Sequence, residues 1–534
     1  MKIVILGGTG VFGSRLARLL ARDGHDLTLA ARGGSAALSA ELGAKSLVCD
    51  RNRDPAALFA EHPDLVVDAA GPFQFYKSDP YRLARAAIAA GVNYMDLSDD
   101  ADFTAGISVL DGDAKAAGCY VLSGVSSVPA LSGAVVTHLA AGLDSVDAID
   151  GAILPGNRAP RGRSVMAAIL AQVGQPMPVY RGGVWQSARG WSDRRDYALP
   201  GGEIRRGWLN RVPDLALFPT QFKARTVTFR AGLELSVMGQ GLALLSIIRR
   251  YIPVPFPVGL AHWAASLLQS LGSDRGGMVV SVIGQRSGQD ETRTVTRIWR
   301  LLAEQGDGPF VPAIPARAVV ANGGAAPGAR AAIDEVALAD IVSATDDLHL
   351  TTVEEEHTSL PLFAEVLGDQ FATLGPAVRE SHEVHAVSHL AGQGRVTRGP
   401  GLWPALIALA FRFPPAGHDL PVVVTKTRHG KSEIWQRRFG HSQFKSTLTA
   451  TPQGMSERFG PFTFGLSLAA RDGALEFPVR SGRIGPLRLP DWALPISETR
   501  EFQDETGAFH FDVVLRAPIT RQFIIRYEGQ LSPI

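Results

Sequence analysis

The sequence predicts an α/β chain: an amino-terminal doubly wound parallel sheet of Rossmann type with an inserted α+β domain, then a β-rich α+β carboxyl-terminal domain. Three observations predict it. A glycine turn, "GGTGVFG", separates an apolar β-branched run from an amphipathic run at the start of the chain. Short apolar runs then alternate with helical patterns as far as residue 127. The last third carries alternating stretches broken at hairpin spacing by "HGK", "PQG" and "RDG". At 534 residues the chain exceeds one ordinary domain. The predicted divisions are 1–127, 128–345 with a segment returning to the first domain, and 358–534. The polar stretch "SATDDLHLTTVEEEHTSL" reads as the linker before the last.

Lys2 to Leu6 read as a buried strand, and Phe12, Leu16, Leu19 and Leu20 recur at helical spacing behind the turn. A glycine turn in that order has a specific use. Gly8 permits the tight turn, Gly10 lets the backbone approach a pyrophosphate, and Gly13 lets helix and strand pack closely. The backbone from Gly7 through Gly8, Thr9, Gly10, Val11 and Phe12 to Gly13 then faces phosphate, helped by the positive end of the helix. A second strand, "DLTLAAR", ends at Ala31. An NAD-preferring site usually carries Asp or Glu there; here Arg32 stands with Ser35 behind it, matching the 2′-phosphate of NADP. A third strand ends at Asp50, beside the expected adenine. A fourth, "DLVVDAAGPF", brings Ala70, Gly71, Pro72 and Phe73 to its carboxyl end, where open α/β sheets bind ligands.

Composition narrows the classes. With 53 basic and 52 acidic residues there is no electrostatic case for nucleic acid. Two cysteines, Cys49 and Cys119, both in strand-like runs, support neither a disulfide framework nor a Cys-based zinc site, and no metal is expected. No basic segment followed by an apolar core precedes the first strand, so a cytoplasmic protein is expected. Residues 242–272 are strongly apolar, but Arg249, Arg250 and prolines 253, 255 and 257 interrupt them before a membrane span is reached. They read as two short helices around a Pro-rich turn. Either they line a pocket, or they form a membrane-surface patch or a wall facing a lipid substrate.

The motifs "GGTGVFG", "AAR", "DAAGPF", "AAIAAGVNYMDLSDD" and "GCYVLSGVSSVPALSG" resemble those of the saccharopine-dehydrogenase-like oxidoreductases. "GMVVSVIGQ" and "GDGPFVPAIPARAVV" extend the resemblance to about residue 350. It implies an NADP-binding Rossmann domain, an inserted α+β domain whose sheet covers the substrate cleft, and hydride transfer without naming a substrate. "GVSSVPAL" departs from the glycine-rich turn and "PG" frequent in relatives, at the backbone near the nicotinamide. From about 358 onward the chain resembles an uncharacterised bacterial domain commonly fused behind such NADP-binding domains.

Hydride transfer needs a placed acid or base. None of the eight tyrosines has lysine four residues on, so the Tyr-x-x-x-Lys pair of short-chain dehydrogenases is absent. Tyr76 follows the fourth strand and Asp96 ends the fifth, and these two are the catalytic candidates; the structural alternative packs Tyr76 against the cofactor and has Asp96 cap the following turn. Arg158, Arg161 and Arg163 flank a helix start at Ser164, a candidate anion site or else solvated loop arginines. His382, His385 and His389 read as strand residues on opposite faces, which argues against a shared metal. Glu433, Trp435, Arg437 and Phe439 share one strand face, lining either a polar-mouthed, apolar-floored pocket or a sheet exterior. The function expected is an NADP(H)-dependent oxidoreductase acting on an imine, carbonyl or alkene of a small, hydrophobic or acyl substrate, working as a homodimer with peripheral membrane contact. The alternative is a non-catalytic NADP-binding sensor or scaffold with a lipid-binding carboxyl-terminal module.

Overall fold

The structure, a computed structural model, describes residues 1–534 apart from 52, 54, 77, 78, 161, 253–257 and 289–291. Its first sheet is parallel and seven-stranded. In chain order the strands are β1 (Lys2–Leu6), β2 (Asp26–Ala31), β3 (Lys45–Val48), β4 (Leu65–Asp68), β5 (Asn93–Asp96) and β6 (Tyr120–Ser123). A seventh, Gly328–Ala331, returns from far along the chain and pairs parallel with β6. The spatial order is Gly328–Ala331, β6, β5, β4, β1, β2, β3, so the order reverses between β1 and β4, which opens a crevice at their carboxyl ends. Ile3, Val4, Ile5 and Leu6 of β1 are all buried because helices cover both faces, which is why this strand is continuously apolar. The helix α1 (Val11–Arg22) buries Leu16, Leu19 and Leu20. On its outer side Arg22 pairs with Asp347 at 2.8 Å.

The second sheet is mixed and nine-stranded, with Thr226–Gly232, Ser145–Leu154, Gly276–Ser287 and Thr292–Ala303 as its spine. Alternation divides its faces. Ala231, Ile153, Met278 and Leu301 lie in register on one, while the other carries Asp150, hydrogen-bonded by Tyr197 at 2.9 Å and Thr228 at 2.5 Å and paired with Arg230. The expected linker is not a linker. Leu350–Ser359 is an antiparallel edge strand beside Thr292–Ala303. Its polarity is that of an exposed edge, with Glu355 on Arg300 at 2.7 Å and Glu356 on Arg297 at 2.7 Å.

The third sheet has thirteen antiparallel strands. Side chains from strands across it, including Val424, Trp435, Phe464, Phe511 and Leu531, line one cavity together with the helix Leu402–Ala410, so the sheet curls around that space. The domain docks on the second sheet: His385 Nδ1 lies 2.6 Å from Thr294 Oγ1, and His389 Nε2 lies 2.9 Å from the Arg181 carbonyl oxygen. The expectation of one strand through the histidines fails, since His382 closes the helix Pro376–His382 and His389 belongs to the strand Val387–Arg398. Among the described residues no three His, Cys, Asp or Glu side chains gather as metal ligands. Among the described residues, too, no helix is long and apolar enough to cross a membrane.

Candidate functional site

The glycine turn lies at the crevice between β1 and β4. Gly7, at φ +78°, takes the left-handed conformation in this turn, and its N–H donates to the Ala30 carbonyl at 2.8 Å. A Cβ on Gly7 would stand 2.8 Å from the Ala69 carbonyl, and one on Gly13 would stand 2.2 Å from the Gly7 oxygen. The turn is thus pressed between β4 and the first turn of α1, and only hydrogen side chains fit. Helix geometry leaves the N–H groups of Val11, Phe12 and Gly13 without internal partners, facing the crevice beside exposed Thr9 and Gly10.

Arg32 follows β2, exposed and bound to no described residue. Beside β4, Asp68 is buried; it accepts from Ala70 N–H at 2.9 Å and from the Tyr76 hydroxyl, and lies 3.7 Å from Arg51 Nη1. The Arg51 guanidinium covers the Tyr76 ring at 3.7 Å and donates to the Ala70 carbonyl. This knot fixes the path of the Ala70–Phe73 loop.

A cavity of about 530 Å³ opens where the crevice meets the second sheet. Phe12, Ser127 and Val128 line it on the Rossmann side, and Ile153, Phe229, Met278 and Leu301 on the sheet side. Two helices, Ser236–Arg249 and Val258–Leu267, roof it with Met238, Leu242, Leu245 and Ala265. Among the described residues its polar lining side chains are Asp99, Ser127, Asn210 and Asp274. Asp99 reaches solvent through the cavity, yet surrounding protein raises its carboxyl above the usual range, and neighbouring Asp100 adds to the effect. Asn210 Oδ1 is buried and has no hydrogen-bond partner among the described residues.

Residues 3–122 match the family model described as the saccharopine dehydrogenase NADP binding domain. The amino-terminal unit is thus similar to the saccharopine dehydrogenase NADP binding domain over those residues. Residues 374–531 match a second model, described as Domain of unknown function (DUF4166). No curated protein matches the chain. Similar solved structures include an engineered D-amino acid dehydrogenase bound to NADP+, 15% identical over 64% of this chain and 95% of its own, with a TM-score of 0.35. The C. glutamicum DAP dehydrogenase in complex with DAP is 14% identical over 64% and 95%, with a TM-score of 0.34. A probable dehydrogenase from Thermotoga maritima is 10% identical over 64% and 93%, with a TM-score of 0.31. Strand order and family match together make this an NAD(P)-binding dehydrogenase-type fold.

Within residues 3–122, several expected roles change. Ser35 is buried; its hydroxyl donates to the Leu29 carbonyl at 2.7 Å and meets Ser39 and Ser46, so it shapes the turn and leaves Arg32 as the exposed cation. Asp50 sits half-buried past β3, at the far end of the crevice from the cavity. Gly71 is exposed and Pro72 half-buried, but Phe73 turns inward, stacked on Tyr76 at 5.2 Å and against Phe103 at 5.2 Å. Tyr76 does not face the cavity. Its hydroxyl is held by Asp68, and burial followed by the Asp68 charge pushes its pKa well up. Asp96 does not face the cavity either. Its Oδ1 accepts from Ser98 N–H at 3.0 Å, Ser123 Oγ at 2.9 Å and Gly124 N–H at 2.9 Å, tying the ends of β5 and β6, while burial raises the carboxyl to about 7. The sequence missed Asp99, three residues on in the same "DLSDD"; position just past a strand's carboxyl end was the available signal.

In the proposed anion loop, Arg158 donates to the Ser270 carbonyl at 3.4 Å, and Arg161 lies outside the described residues. The helix Arg163–Gln172 that follows gives Met166, Ile169 and Leu170 to the cavity wall. The apolar 242–272 stretch does form a helix pair, with prolines 253, 255 and 257 outside the described residues.

Proposed function

We propose that the protein is an NADP(H)-dependent oxidoreductase moving hydride to or from an imine, carbonyl or alkene carbon of an apolar, acyl-type substrate. The apolar cavity at the inner end of the dinucleotide crevice carries this reading. The backbone of Gly7–Gly13 would hold the pyrophosphate, since the absence of Cβ atoms there leaves room for close approach. Arg32 would hold the 2′-phosphate, Asp50 would border the adenosine, and Ala70, Gly71 and Pro72 would border the nicotinamide side. Bound NADPH supplies the hydride, which sets the reaction class.

The chain's own residues do the rest. Leu242, Leu245, Phe229 and Met278 exclude water and align an apolar chain. The Asp99 carboxyl, its pKa raised by the surrounding protein, keeps a proton into a higher pH range than an ordinary aspartate and gives it to the atom left negative by the hydride. On the same helices Leu244, Ile247 and Trp263 are exposed, as is Tyr251 just past the first, which supports uptake of substrate from a lipid surface. The test follows NADPH absorbance against long-chain enoyl, keto and imino compounds and their short polar counterparts. Turnover that rises with chain length is expected. NADPH binding without turnover on any of them would overturn the enzyme reading in favour of a sensor.

A further inference from the structure

The third sheet encloses a second cavity of about 470 Å³ that shares no lining residue with the first. That volume lies in the range of pockets that take one small molecule, roughly 300–1,000 Å³. Its walls are aromatic and aliphatic, among them Phe411, Phe464, Phe511 and Leu531. Trp403 and Leu406 line it and are also exposed, so they stand at its mouth on the helix Leu402–Ala410. The strand face Glu433, Trp435, Arg437 and Phe439 turns inward. The polarity is the reverse of that expected from sequence: the mouth is apolar and the charges are at the bottom.

Those charges are buried, and most are matched. Glu501 Oε2 lies 2.5 Å from His382 Nε2. Arg437 donates to Ser446 Oγ at 2.8 Å and to Glu457 at 3.3 Å. Lys426 differs. It is 2% exposed, its Nζ donates to the Ser381 carbonyl at 2.7 Å and lies 4.2 Å from the centre of the Trp435 ring. An ammonium has three N–H groups, and no carboxylate of a described residue lies within ion-pair distance of this one. A buried donor without an acceptor is costly, and burial here pushes the Lys426 pKa down to about 8. Glu501 and Glu433 act on this charge from beyond ion-pair distance, and a ligand oxygen in the cavity would accept from an N–H that the Ser381 carbonyl does not take, beside apolar walls.

We propose that this cavity binds an acyl lipid, with the chain along the aromatic walls and an acyl oxygen on Lys426 Nζ. The site is independent of the hydride chemistry assigned to the first cavity. A free fatty acid and an acyl ester both present such an oxygen. The test titrates the full-length protein with cis-parinaric acid and with its methyl ester, reading ligand fluorescence. Wild type binds at least one of them saturably. Lys426→Met weakens that binding at least tenfold, with the thermal midpoint and NADPH binding as checks of folding. Leu242→Trp, which narrows the first cavity to long chains, leaves the component that depends on Lys426 unchanged. Preference for the acid identifies a carboxylate ligand, and equal binding of both identifies an ester carbonyl. Should Lys426→Met not fold, Ile407→Trp on the mouth helix must itself abolish binding by filling the space. Absence of binding by wild type, full binding by Lys426→Met or by a folded Ile407→Trp when either is combined with Leu242→Trp, or loss of the Lys426-dependent component in Leu242→Trp alone each overturns the proposal.

Discussion

Arg32→Asp separates the cofactor assignment from the stability of the fold. Arg32 is exposed and bonds to no described residue, so replacing it costs the folded state no contact and moves stability by about 0.5 kcal/mol at most. A charge-assisted hydrogen bond to a phosphate contributes about 1.5–3 kcal/mol. Since about 1.4 kcal/mol is tenfold in affinity, NADPH binding should weaken roughly 10- to 100-fold, and the introduced carboxylate would push it toward the upper end. NADH carries no 2′-phosphate, and its affinity should hold or rise, because the introduced Asp can accept from the ribose 2′-hydroxyl. Titration calorimetry of wild type and variant with both nucleotides measures the ratio directly. The wild-type preference should shrink as salt rises, because the contact lies in solvent-exposed surroundings. An unchanged NADPH-to-NADH ratio in a folded variant would refute the 2′-phosphate seat, and with it the NADP assignment.

Asp99→Asn should lower kcat by about 100- to 10,000-fold while leaving NADPH affinity intact; because the protonated form acts, wild-type turnover should fall as pH rises through the raised Asp99 pKa, in steady-state kinetics across pH. Leu242→Trp should raise KM for long-chain substrates and spare the short ones. Gly13→Ala, whose methyl would meet the Gly7 oxygen at 2.2 Å, should abolish NADPH binding in calorimetry. Asp214, 2% exposed, has its carboxyl raised to about 7 by burial, so it favours the folded state at low pH and that contribution is lost as pH rises from about 4 to 7. Denaturant unfolding of Asp214→Asn should therefore show a flatter pH dependence than wild type over that window, by roughly 4 kcal/mol at most.

The dinucleotide half of the fold was legible because its signals are local. A β-branched run, a glycine turn and an amphipathic helix occupy the first 22 residues and imply one another. Hairpins of the last third were legible for the same reason, their turns lying between alternating runs. The partners that hold the catalytic candidates were not. Tyr76 looks available in sequence, but Arg51 and Asp68, brought from β3's end and from β4, take its ring and hydroxyl. Asp96 is likewise committed by Ser123 and Gly124 of the neighbouring strand. The acidic run 354–356 resembled a linker because an edge strand needs no apolar face when arginines of the next strand meet it. His382 was misassigned because its partner, Glu501, is supplied by a strand more than a hundred residues away.

The returning strand Gly328–Ala331 bears on how this molecule is made. Until it arrives, the flank of Tyr120–Ser123 has only one neighbour and presents bare amide and carbonyl groups to the surroundings. Translation at about 5–20 residues per second puts the gap of about 200 residues at roughly 10–40 s. During that interval the emerging Rossmann half is a template open to any passing strand, so a gene cut after residue 127 should yield aggregates where the longer product stays in solution.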